Sequence, residues 1–197
     1  MLLNNFFYYW LIFYKLLSFN YTSKISRNII SFTHSILCFS IANFSNNSNF
    51  VQLLVSISYS YFIFDILYIL YNKNWNEIAY IYHHLVCLLC LNNLYNNINQ
   101  IEFIDIFFYG ELSNFFNYIV YHLIKNNAIR YKILIFKIIQ TIWFSYFRIY
   151  IFSNLLNQYF FLLKDRFLAY NLVIIYLMGI GWGINQVTLL YKNIINN

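Results

Sequence analysis

The chain has 197 residues, of which 61% are hydrophobic, 24% aromatic and only 9% charged. Soluble globular domains carry about 25% charged residues, so this composition excludes a fold coated by water. The formal charge of +6 would point to nucleic acid in a soluble protein. Here the basic residues stand singly or in small groups between apolar runs, as they do in the cytosolic loops of membrane proteins, and no nucleic-acid partner is expected.

Apolar runs close to the ~20 residues that span a bilayer recur along the whole chain. The expected fold class is therefore all-α, a polytopic membrane protein of seven transmembrane helices. Proline is absent. The abundance of Asn beside Ile, Phe, Tyr and Lys points to an A/T-rich genome, which makes any isolated Asn weak evidence. Cys38, Cys87 and Cys90 all fall in predicted helices, so no extracellular disulfide framework is implied.

Met1–Phe19 lacks a basic n-region and a small-residue cleavage site, and reads as a first membrane helix rather than a removable signal peptide. Lys15 can snorkel from its end to the interface. A second helix is predicted over about Ile25–Phe44, where Arg27, Ser31 and His34 share one face by their i, i+4, i+7 spacing. The Asn/Ser loop Ser45–Asn49 opens a third, about Phe50–Tyr71, with Ser58, Tyr61 and Asp65 at i, i+3, i+7. Lys73 and Trp75 in the next loop are candidate interface anchors. A fourth helix, Ile78–Leu91, carries His83 and His84 side by side in an otherwise apolar run.

A polar loop, Asn92–Gln100, precedes the most polar helix, about Ile101–Ile124. Its Glu111, Asn114, Tyr118 and His122 form one stripe, which should face a cavity rather than acyl chains. The sixth helix, about Ile133–Leu156, carries Gln140, Thr141, Ser145 and Arg148, the last three on one face. The seventh, about Phe167–Tyr191, holds Gly179, Gly181 and Gly183, small residues that permit close helix contact. With seven helices and the N-terminus outside, Lys24, Arg27, Lys73, Lys125, Arg130, Lys132 and Lys192 fall on one side, Lys164 and Arg166 on the other. The positive-inside rule then places the N-terminus in the lumen and the C-terminus in the cytosol.

The histidine pair is costly to bury in lipid and needs a partner, a watery cavity or a chemical role. Cys87 and Cys90, at i+4 and i+7 from His83, raise a zinc reading. Structural Cys-x-x-Cys zinc sites, however, usually sit in tight loops and Cys is common in buried apolar helices. A di-iron site is excluded because only His34, His83, His84 and His122 are present. No metal is expected. Two readings remain open: a hydrogen-bonded clamp that fixes helix order, and a general base or acyl-accepting nucleophile oriented by Asp65 or Glu111. Asp65 and Glu111 are each also candidates to pair with Arg148. Three N-x-S/T sequons begin at Asn20, Asn43 and Asn46, but so Asn-rich a chain yields sequons by chance.

The order Arg27-x-x-x-Ser31-x-x-His34, Ser58 to Asp65 with Tyr61 inside it, His83-His84, Glu111-Leu112-Ser113-Asn114-Phe115-Phe116-Asn117, Phe147-Arg148 and Trp182 resembles the TLC domain. That family includes the ceramide synthases, the translocating-chain-associated membrane protein and small lipid-homeostasis proteins. The resemblance covers about Lys24–Lys192. It implies a first transmembrane helix and loop over 1–23, a TLC domain of six helices over 24–192 and a short cytosolic tail, 193–197.

It also implies a barrel-like bundle around a lipid-accessible cavity in an endoplasmic reticulum or other endomembrane. Carried over, His83 and His84 would be the catalytic pair, with Asp65 and Glu111 as acidic partners. Arg27, His34, Tyr61, Ser113, Asn114, Asn117, Arg148 and Trp182 would line the cavity. The synthases' second motif reads His-Asp-x-Ser-Asp, whereas this chain has Gly110-Glu111-Leu112-Ser113-Asn114, closer to the small lipid-homeostasis proteins.

The expected function is binding or sensing of a lipid or acyl chain in membrane lipid homeostasis, with no cofactor. The alternative is a ceramide-synthase-like transfer of an acyl group from acyl-CoA, as co-substrate, to a sphingoid-base amine. Membrane lipids are the expected partners, and association with itself or with other membrane proteins is left open.

Overall fold

Seven helical rods make up the computed structural model, which describes residues 2–44, 48–73 and 77–195 and contains no strand among them. They are α1 (Leu2–Ser18), α2 (Ser23–Ala42), α3 (Ser48–Tyr71), α4 (Ile78–Tyr95), α5 (Gln100–Lys125), α6 (Arg130–Tyr159) and α7 (Arg166–Ile195). Trp75 and the sequon asparagine Asn46 lie outside the described residues. The helices run longer than the apolar runs suggest: α4 continues to Tyr95, through part of the expected polar loop, and α7 reaches Ile195, into the expected tail.

Without proline, the chain stops its helices with asparagine. Asn97 and Asn127 take left-handed backbone angles (φ 56° and 50°) just past α4 and α5. There Ile98 N–H returns to Asn93 C=O and Ala128 N–H to Leu123 C=O, at 2.9 and 3.0 Å. This is the Schellman arrangement usually supplied by glycine; asparagine tolerates the same angles better than other side-chain-bearing residues. Asn99 (φ 50°) then clips two loops together, its side chain donating to Leu162 C=O and accepting from Lys164 N–H.

Six helices close a ring in the order α2, α3, α4, α7, α6, α5, each packed on the next, and α1 lies outside it against α2 and α3. α1 is fastened by Trp10, which is fully buried and donates its indole N–H to Ser60 Oγ at 3.2 Å. At its C-terminal end, Tyr14, Ser23 and Tyr68 form a hydroxyl chain of 2.8 and 2.6 Å links across α1, α2 and α3.

Four helices, α3, α4, α6 and α7, are long and apolar enough to cross a membrane by themselves, fewer than the seven spans expected. α1 has only 17 residues, and α2 and α5 carry the polar side chains that face the ring interior. The outward surface is greasy: Ile135, Ile138, Ile139, Ile142, Tyr146 and Tyr150 of α6 are all exposed. A continuous apolar face of this kind belongs in lipid. The chain is a helical membrane protein.

One irregularity departs from the expected sixth helix. Ser145–Ile151 of α6 is a π-helical segment, the widened turn that inserts one residue and is frequent at functional sites. Thr141 bonds its own helix backbone at Lys137 C=O, while Arg148 turns inward.

Replacing Trp10 by Ala should destabilise the detergent-purified protein by about 3–5 kcal/mol, the usual cost of emptying a buried tryptophan site. A thermal-unfolding shift no larger than that of the exposed control Tyr8→Ala would show that α1 is only loosely attached.

Candidate functional site

The ring encloses a cavity of about 600 Å³ lined by residues from all six of its helices and by none from α1. Its wall comes from the first turns of α2 and α4, the last turns of α3, the C-terminal halves of α5 and α7 and the N-terminal half of α6. These parts all lie toward one end, the end that carries Lys24, Lys73, Lys125, Arg130 and Lys132. Alternating helix direction brings them there.

At the α2–α3–α4 wall, Arg27 grips Asp65 in a two-point ion pair, Nε to Oδ1 at 2.6 Å and Nη2 to Oδ2 at 2.7 Å. A planar guanidinium facing a carboxylate in this way is the strongest form of the interaction. Glu77, just before α4, takes the remaining Nη1, and the Tyr68 ring lies 5.1 Å from the guanidinium carbon. Asp65 also bonds His84 Nε2 at 2.8 Å. The partner of Asp65 is therefore Arg27 rather than Arg148, because the shared α2 face predicted for Arg27, Ser31 and His34 meets α3 directly. Along that face Tyr61 OH donates to Ser31 Oγ at 2.9 Å, and the Tyr61 ring stacks on His34 at 3.9 Å between centroids.

On the opposite wall the glue is neutral. Asn117 Oδ1 accepts from Gln140 Nε2 at 2.7 Å and Gln186 Nε2 at 3.2 Å, and its own amide donates to Asn114 Oδ1 at 3.3 Å. This links α5, α6 and α7. Trp182 stacks on Tyr80 at 5.2 Å and meets His83 edge-on at 6.2 Å.

His83, His84, Asp65, Glu111, Arg27, Tyr61, Asn114, Asn117, Arg148 and Trp182 all line the cavity. His34 and Ser113 do not. His34 is fully buried behind Tyr61, bonded to Ser58 Oγ at 3.1 Å, with Nδ1 3.9 Å from Glu111 Oε1, too far for a hydrogen bond. Ser113 turns back to Gly110 C=O at 2.6 Å. His122, last in the α5 stripe, lies off the cavity wall. Of the four acid–base candidates only Asp65 and His84 touch. His83 Nε2 stands 3.8 Å from Cys87 Sγ, and no group of three or more His, Cys, Asp or Glu among the described residues could hold a metal ion.

No family model, curated protein or solved structure matches the chain. The site is therefore read from its own geometry.

Residues that sequence reasoning left out of the site include Lys24, Asn28, Glu77, Tyr80, Tyr121, Lys125, Gln140, Asn185 and Gln186. Most sit at helix ends, where polarity is ordinary and carries no signal; the i, i+3 and i+4 neighbours of Asn117 and Tyr118 could have flagged Tyr121. Six cavity residues, Asn28, His83, His84, Tyr121, Arg148 and Gln186, each keep a buried side-chain atom with no hydrogen-bond partner. Buried polar atoms are rarely left so. Most of the unpartnered buried side-chain atoms among the described residues belong to this wall.

Asp65→Asn should cost about 3–5 kcal/mol, since it leaves the buried Arg27 without its main counter-charge. Glu77→Gln, at the half-exposed mouth, should cost less than about 1 kcal/mol. Thermal unfolding in detergent compares the two; equal losses would mean that the Arg27–Asp65 pair is no stronger than a surface bridge.

Proposed function

We propose that the chain is a TLC-type multi-pass membrane protein acting in membrane lipid homeostasis, which binds or senses a lipid or acyl chain in the cavity of its helix ring. The observation that carries this is the cavity itself: about 600 Å³, built jointly by six helices whose outer faces are apolar. A protein fixed only for structure would fill such a space with side chains. In this reading all seven helices cross the bilayer. α1, α2 and α5 gain their place by packing and by turning polar atoms inward, the N-terminus is lumenal and the basic end is cytosolic.

A second reading, acyl transfer from acyl-CoA to a sphingoid-base amine, is favoured by one contact. The 2.8 Å bond from His84 to Asp65 is of the kind that orients an imidazole for base catalysis. Against it, that carboxylate is already held by Arg27, and His84 Nδ1 is buried without a partner, so His84 offers the cavity no free nitrogen. Binding is the better-supported function.

A photoreactive fatty-acyl phospholipid should label cavity residues of the reconstituted protein, such as Tyr61, Tyr118 and Trp182, in mass-spectrometric peptide maps. Labelling confined to outward residues such as Ile135 and Ile139 would overturn the binding reading. Incubated with acyl-CoA and a long-chain base, the protein should form no amide. Amide formation that is lost in His83→Ala and His84→Ala would establish the transferase instead. For orientation, cysteines placed at Lys125 and at Lys164 in a cysteine-free background should react with an impermeant maleimide from opposite faces of sealed vesicles, Lys125→Cys from the cytosolic one.

A further inference from the structure

We propose that Arg148 is the anchor for an oxyanion, a phosphate or carboxylate, carried by the amphiphile that occupies the cavity. The inference rests on the binding function above and names the chemistry of its ligand.

Arg148 is only 4% exposed, yet among the described residues no hydrogen bond or ion pair reaches its guanidinium. Its nearest aromatic neighbour is Phe152, with 5.5 Å between the guanidinium carbon and the ring centre. A buried guanidinium that makes no ion pair or hydrogen bond is costly in a membrane. It is retained where it serves a ligand or a pathway. The other arginine of the cavity shows the contrast: Arg27, partly exposed, holds two carboxylates, Asp65 and Glu77. That leaves Glu111 as the remaining acid on the cavity wall, beside Arg148, Lys24 and Lys125. The unneutralised charge of the cavity is positive.

The structure makes room for Arg148 deliberately. It projects from the π-helical segment of α6 between two glycines, Gly110 of α5 and Gly179 of α7. A Cβ at Gly110 would stand 3.3 Å from Nη1, and one at Gly179 would stand 3.1 Å from Cγ. A Cβ at either position would require the Arg148 side chain to shift by a few tenths of an ångström. Around it, His83 Nδ1 and Gln186 Oε1 are further buried atoms without partners.

Arg148 also sits at a change of polarity. It lines the large polar cavity and, on its other side, a small pocket of about 30 Å³ walled mainly by Val86, Ile106, Phe107, Phe152, Leu172 and Ile175. An amphiphile entering from the basic end meets Lys24 and Lys125 first and Arg148 last. The two-point geometry of a guanidinium suits phosphate and carboxylate oxygens, which a lysine would bind only as a point charge.

The test compares matched anionic and uncharged amphiphiles on the wild-type protein by native mass spectrometry from a neutral detergent. The pairs are short-chain phosphatidic acid against the diacylglycerol of the same chains, and lauric acid against lauryl alcohol. The wild type should bind at least one anionic member about tenfold more tightly than its neutral mate. Arg148→Gln should abolish that preference while neutral binding stays, Arg148→Lys should retain part of it, and Gly110→Ala, which crowds Nη1, should weaken it. Arg148→Met should not lower the unfolding temperature of the lipid-free protein, whereas a purely structural arginine would. No anionic preference in the wild type, or a preference unchanged in Arg148→Gln, would overturn the proposal while leaving lipid binding intact. Failure of all four amphiphiles to bind would instead sink the binding function on which it rests. Inorganic phosphate binding as tightly as phosphatidic acid would remove the amphiphile from the assignment.

Discussion

The ion pair between Arg27 and Asp65 is the constraint on which the rest of the ring depends. Asp65 is 1% exposed, and a carboxylate so placed is tolerated only with a matched cation and further hydrogen bonds. Arg27 supplies two bonds and His84 a third, so one carboxylate ties α2, α3 and α4 into a fixed wall. Once that wall is set, Ser31 and His34 are carried along α2 to Tyr61, and the aromatic stack of His34 on Tyr61 closes the space behind it. Glu77 brings the start of α4 to the same guanidinium, which sets the height of His83 and His84 along the ring. The far wall has no such pair. Asn117, Gln140 and Gln186 join α5, α6 and α7 through neutral amides, each bond worth about 1 kcal/mol. The cavity lies between a charged half held tightly and an amide-linked half held more loosely.

That division bears on chemistry. A histidine can act as a base when one nitrogen is oriented and the other is free toward the reactant. His84 meets the first condition through Asp65 and fails the second, because its other nitrogen is enclosed. His83 meets the second more nearly, standing on the wall between the large cavity and the small apolar pocket, but no carboxylate orients it. The pair therefore splits the two requirements between adjacent residues pointing different ways, as the ~100° between neighbours on a helix dictates. Binding tolerates that split and base catalysis does not.

Much of the ring was legible in the sequence, and for physical reasons. Helix existence followed from apolar run length, and much of the inward faces of α2 and α5 followed from polar residues at i, i+4 and i+7 in the one and at i, i+3 and i+7 in the other, because polar atoms in a membrane protein have few other places to go. The partners across the ring were less legible. Periodicity places Arg27 on a face but is silent on which helix meets that face, so Asp65 and Arg148 could be paired on paper as readily as Asp65 and Arg27. The asparagines were discounted as compositional, although Asn97, Asn99 and Asn127 perform the turns that glycine or proline perform elsewhere. The π-helical segment carries no sequence signature at all. It packs against α5 and α7.

The same segment connects two features that look separate in the sequence. The first is Gly110. In this ring that position faces Arg148, whose Nη1 would lie 3.3 Å from even the first side-chain carbon. A larger side chain there would crowd the guanidinium, and on the other side the Cβ position of Gly179 is 3.1 Å from Arg148 Cγ. The glycine at 110 and the inward arginine at 148 are thus one feature. On the cavity wall this slot places a permanent cation in company with Glu111. A group that never releases its proton cannot serve as a base, but it can hold an anion. The glycine at 110 and the character of the cavity have a common cause in the packing of α5, α6 and α7.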